Sequence, residues 1–93
     1  MTKQEFGRFV MALKTYYPRE SALLPNSQSI ELWFNQLKDL DYITAEKALN
    51  KWVKENKWSP SIAEIRQATE AEIRSQKLKQ LLEHNGLFLE VGE

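Results

Sequence analysis

Pro60 divides this chain into helical stretches that cannot be one continuous helix. Its ring fixes φ, removes a backbone donor and pushes Ser59 toward extended backbone, so a helix arriving from the N-terminal side must end near Asn56. A new helix starts straight after it. Ser61 and Glu64 have the spacing of a capping box, in which the Ser61 hydroxyl accepts from the Glu64 N–H and the Glu64 carboxylate accepts from the Ser61 N–H. Trp58 just before the break, and Ile62 and Ile65 just after it, are large apolar side chains expected to pack on the rest of the chain.

The same logic places the other elements. Thr2 and Glu5 repeat the capping-box spacing, and Phe6, Phe9, Val10 and Leu13 then recur at i, i+3, i+4 and i+7, predicting a first helix over about 3–16. Pro18 closes it, and Arg19 to Asn26 is read as a connector broken again at Pro25, with one helical turn expected at Leu23-Leu24. Asn26 or Ser27 caps a second helix whose Ile30, Trp33, Phe34, Leu37 and Leu40 share a face, ending near Leu40. Asp41 caps a third, with Ala45, Ala48, Leu49, Trp52 and Val53 inward, running to about Asn56. The fourth has no Gly or Pro from Ser61 until Gly86. Beyond Ile73 it turns polar, with Leu78, Leu81 and Leu82 as a narrow apolar stripe. After Asn85-Gly86, the run Leu87-Phe88-Leu89-Glu90-Val91 is a weak strand signal that could not stand alone. The fold class is all-α: a small bundle of three helices plus a fourth, longer C-terminal helix and a short flexible tail. Residues 1–73 form the helical domain, and 74–93 a helix extension and apolar tail. Phe6, Phe9, Trp33, Trp52, Trp58 and Ile62 are expected to make up the bulk of the core.

The chemistry is defined mostly by what is missing. There is no cysteine, which excludes disulfides, thiolate catalysis and cysteine-ligated zinc. His84 is the sole histidine, so neither a zinc shell nor a Ser-His-Asp arrangement can be assembled; it is read as a surface residue at a helix end. Asp39 and Asp41 diverge on a helix, one reading as a cap and the other as a surface charge. No glycine-rich loop cradles phosphate. No catalytic, cofactor or metal residue is assigned, and no enzyme is expected. Nor is there an apolar leader or a membrane-length apolar run, so a soluble intracellular protein with no membrane role is expected.

Thirteen Lys and Arg balance thirteen Asp and Glu, so no global field attracts a polyanion and direct nucleic-acid binding is disfavoured. The local exception is Lys47, Lys51, Lys54 and Lys57, a lysine face on helix three with Trp58 beside it, which are the candidate nucleic-acid contacts. The alternative is a solvated face. A helix-turn-helix starting at Pro60-Ser-Ile-Ala-Glu-Ile65 fails, because Gln67 to Glu83 continues without the second turn that motif needs.

Met1-Thr-Lys-Gln-Glu-Phe6, Tyr16-Tyr17-Pro18-Arg19, Glu31-Leu32-Trp33-Phe34, Leu37-Lys38-Asp39-Leu40 and Trp58-Ser-Pro-Ser-Ile-Ala-Glu-Ile-Arg66 occur in an order and spacing that carry a resemblance over about residues 2–70. The chain resembles the loader-and-inhibitor proteins of phage replicative helicases from tailed phages and prophages of Gram-positive bacteria. That resemblance implies a small helical N-terminal domain and a poorly ordered C-terminal part that contacts the hexameric helicase. It also implies no ATPase in the protein itself, restraint of the helicase's ATP hydrolysis and unwinding, and delivery to the origin, where an origin-binding replisome organiser triggers release. It leads one to expect a longer C-terminal arm than the residues up to Glu93 supply.

The residues themselves point to the same end of the chain. Leu78, Leu81, Leu82, Leu87, Phe88, Leu89 and Val91 have no assured place in the core and are the candidate partner-binding residues. They either meet a partner or fold back on helices one to three. Two function classes follow: a non-enzymatic adaptor that restrains and loads a helicase, and a small DNA-binding replication or regulatory protein using the helix-three lysines. A prophage protein that inhibits a host factor has the same physics as the first.

Overall fold

The computed structural model describes residues 1–23 and 25–85. Four α-helices, α1 (Lys3–Tyr16), α2 (Ser27–Leu37), α3 (Tyr42–Glu55) and α4 (Ile62–Asn85), are joined by a 3-10 segment at Pro18–Leu23 and by short turns, with no strand among the described residues. The fold is all-α, as the patterning predicts. Leu24 and the Leu87 to Val91 run expected as a strand, together with the tail that carries it, lie outside the described residues.

Local chemistry sets each helix start. The Thr2 box closes with the Glu5 N–H donating to Thr2 Oγ1 at 3.1 Å and the Thr2 N–H donating to Glu5 Oε1 at 2.8 Å. The Ser61 box closes the same way, at 3.2 and 2.9 Å. Asn26 accepts from the Ser29 N–H at 2.9 Å, and Asp41 accepts from both the Thr44 N–H and the Thr44 hydroxyl. Those bonds satisfy amides that a helix start otherwise leaves without partners. They also hold the Asp41 carboxyl below its ordinary range, the Thr44 amide being the main cause.

The core is built where the inward faces of the four helices meet. Phe6, Phe9, Val10 and Leu13 of α1 pack with Leu37, Leu40, Ala45, Leu49 and Ile65, and Ile30, Trp33, Phe34, Val53 and Ile62 close over them half-buried. The Phe6 and Phe34 rings are tilted at 56° with centroids 5.5 Å apart, within the favourable range for an aromatic pair. Helix α2 ends at Leu37 rather than near Leu40, because Lys38 to Leu40 turn back toward α3; Leu40 remains buried without being helical. The amino group of Met1 seals that corner by donating to the Lys38 and Leu40 carbonyls at 2.6 and 2.7 Å, where the end of α2 presents negative dipole charge.

The three tryptophans do not share the role expected of them. Trp33 and Trp52 are half-buried, but Trp58 is 72% exposed and takes no part in the core. Its place is taken by the neighbouring Pro60, which is fully buried against Phe9, Trp52 and Ile65. The apolar packing at the turn thus comes from the residue that breaks the helix.

Helix α4 packs chiefly on α3 and outruns it. The molecule is 53 Å long but only 26 and 19 Å in the other directions. A helix of 24 residues is about 36 Å long, so α4 sets much of that length.

Candidate functional site: two exposed surfaces at the ends of helix four

Helix α4 carries two apolar sets that face different ways. At about 100° per residue, Ile62, Ile65, Thr69, Glu72, Ile73 and Gln76 fall within about 60° of one direction, whereas Leu78, Leu81 and Leu82 centre about 170° from it. Burial follows that division. Ile65, Thr69 and Glu72 are buried and Ile62, Ile73 and Gln76 half-buried, while Leu78 and Leu81 are 58% and 56% exposed and Leu82 is half-buried. The polar members of the inward face are satisfied: Thr69 donates to the Ile65 carbonyl at 2.7 Å, and the Glu72 carboxylate meets Lys51 of α3. A straight helix cannot turn both sets onto one bundle, so Leu78 and Leu81 stand outside the core. Of the candidate partner-binding residues, Leu87, Phe88, Leu89 and Val91 lie outside the described residues. So does the side chain of His84, read from the sequence as a surface group at the helix end.

The lysine face divides in three. Lys51 is engaged with Glu72, Lys47 is exposed, and Lys54 and Lys57 border grooves against Tyr16 and Tyr17 at the α3–α4 turn. Of the four, Lys57 shares a groove with Trp58.

The α3–α4 turn is the second surface. The peptide group joining Trp58 to Ser59 is held from both sides, its carbonyl accepting from Trp52 Nε1 at 2.8 Å and its N–H donating to Glu20 Oε2 at 2.7 Å. Beside it, the buried Tyr17 donates its hydroxyl to the Asn56 carbonyl at 2.9 Å. Burial and the nearby Glu20 charge push the Tyr17 phenol above its ordinary pKa, so it stays a neutral donor. The Trp58 indole therefore projects from a fixed backbone.

Two long-range links escape local sequence reading. Glu20 reaches Ser59 across 39 residues. Arg66 grips Asp39 through both guanidinium nitrogens, at 2.8 and 2.9 Å, and also donates to the Gln36 carbonyl. The Arg66 fork holds the Asp39 carboxyl down to about 2 and ties the start of α4 to the α2–α3 turn. An aspartate read as a plain surface charge is thus a latch. Its partner lies 27 residues away, so no helical spacing could have signalled it.

Among the described residues, no group of His, Asp or Glu is placed to hold a metal, and no helix is long and apolar enough to cross a membrane. No curated protein and no solved structure gives a significant match. A family model for the N-terminal domain of the phage SPP1 helicase loader and inhibitor matches residues 1–66. The match ends at Arg66, the latch partner of Asp39, and stops short of the leucine stripe. With more than two thirds of its length matched, the chain belongs to that family of phage helicase loaders and inhibitors.

Proposed function

We propose that the protein is a non-enzymatic accessory factor of phage DNA replication that binds a hexameric replicative helicase, restrains it and delivers it to DNA in the bacterial cytoplasm. Family membership supports the helicase as partner. The position of the contact rests on one observation: Leu78 and Leu81 are exposed on the face of α4 that points away from its own bundle. Leu78, Leu81 and Leu82, continued by Leu87, Phe88, Leu89 and Val91, form the helicase-binding arm, and residues 1–73 are the platform that carries it. Leucines at i, i+3 and i+4, the first two exposed and the third half-buried, suit a helix laid into an apolar groove.

Binding energy comes from burying those few side chains at roughly 25 cal/mol per Å² of apolar surface. Restraint then follows if the helicase surface they cover must move during its ATP cycle. The candidate DNA contacts are weaker support for a rival reading, since pairing of Lys51 with Glu72 removes one of the four charges from the face. The test is to mix the purified protein with candidate phage and host replicative helicases, then measure complex formation by gel filtration and ATP hydrolysis with and without the protein. Co-elution and a lower ATPase rate are expected. Failure to bind any such helicase, together with duplex or single-stranded DNA binding that survives physiological salt, would favour the DNA-binding reading.

A further inference from the structure

We propose that the α3–α4 turn is a second docking surface, separate from the leucine stripe, and that its occupant is an acidic protein segment with an apolar anchor. Trp58 is the starting point. A side chain of this size contributes roughly 150–250 Å² of apolar surface when covered, and here 72% of it faces solvent. It is not a loosely held residue, because its carbonyl and the next amide are clamped by Trp52 and Glu20. A partner would not have to order this backbone, which removes one of the usual costs of association.

The surroundings select the partner's chemistry. Trp58 borders a groove of about 390 Å³ with Tyr16, Pro18, Arg19 and Lys57, and an adjoining groove brings in Lys54. Tyr16 is itself 46% exposed. Among the described residues Arg19, Lys54 and Lys57 make no ion pair, whereas Lys51 and Arg66 do. Two acids share the site: Glu20 lines the Trp58 groove with its carboxylate turned onto the Ser59 amide, and Glu55 borders the adjoining groove, so the three cations exceed the nearby acids by one charge. Exposed Trp and Tyr ringed by uncommitted cations is the composition of an interaction hot spot. Three cations fit carboxylates on a short peptide. They are too few to hold a polynucleotide at physiological salt on a chain of zero net charge.

This surface is also out of reach of the leucine stripe. From Ile62 to Leu78 is sixteen residues of helix, about 24 Å, so the two surfaces are separate patches along α4. The inference stands whether or not the helicase is the partner of the stripe.

The test is selection of a displayed random dodecapeptide library against the full chain, followed by binding measurements on the enriched peptides and on oligo(dT). Enriched peptides should combine Asp or Glu with an aromatic or aliphatic anchor and should shift the Trp58 indole N–H resonance. Trp58→Ala should weaken them at least about tenfold. The double substitution Arg19→Glu with Lys57→Glu should do the same without removing the indole, while Lys79→Glu on distant α4 should not. The melting temperature of each variant establishes that it is folded. No enrichment above that on the Trp58→Ala protein, or enrichment of peptides without acidic residues, overturns the proposal. So does tight oligo(dT) binding lost in Trp58→Ala, which would make the surface a single-strand platform, or Trp58-dependent self-association without peptide capture.

Discussion

The two halves of α4 have similar lengths and the same backbone, yet they belong to different parts of the molecule. Residues 62–73 place Ile65 and Thr69 in the core and latch to the rest of the chain through Arg66 and Asp39. Beyond Ile73, the apolar residues described on the helix move to the opposite face. An apolar side chain on the inward face stabilises the fold. The same side chain on the outward face contributes little to folding and is available to a partner. Which role a leucine has depends on its angular position, and substitutions can separate the two roles.

The largest effect should come from the inward set. Phe9 is 1% exposed, and Phe9→Ala should cost about 3–5 kcal/mol, most of the stability of a domain this small. Thermal or urea unfolding would register it as loss of a cooperative transition or a large fall in midpoint. A change below about 1 kcal/mol would mean that the bundle is not packed around α1.

An opposite and smaller effect is expected at Gly7. It sits inside α1, and a methyl group there would meet nothing within 4 Å. Gly7→Ala should therefore stabilise by about 0.5–1 kcal/mol, raising Tm by a few degrees. A fall in Tm would show that the α1–α2 groove is tighter than its geometry indicates.

The latch gives a pH signature. Asp39 has its pKa lowered to about 2 by the Arg66 fork, against an ordinary value near 4. A group depressed in the folded state stabilises above its unfolded pKa, and that contribution is lost as pH falls from about 4 through about 2. Asp39→Asn should lower Tm slightly at neutral pH and flatten the Tm profile across that acid window. An unchanged acid limb would assign it to other carboxylates.

The helices were legible in the sequence because their starts are local. Thr2 with Glu5, Asn26, Asp41, and Ser61 with Glu64 each act within three residues, and the inward stripes follow one period. The structure differs where non-local geometry decides. Trp58 was expected in the core because it is large and apolar, but the fully buried Pro60 fills the space at the turn and the indole is left outside. Leu40 keeps its inward position without its helix, since burial and helical hydrogen bonding are separate requirements. The angular offset of Leu78, Leu81 and Leu82 was present in the spacing from Thr69. It gains meaning only once Thr69 is known to face the core.

The smallest expected effect on stability coincides with the largest expected effect on function. The decisive measurement compares the intact chain with the double variant Leu78→Ser, Leu81→Ser, following thermal unfolding and helicase binding on the same preparations. Because both side chains are exposed, the transition should move by no more than about 0.5 kcal/mol while helicase binding and inhibition are lost. Full binding by the double variant, or a bundle that no longer unfolds cooperatively, would contradict the assignment of the outward face of α4 to the partner.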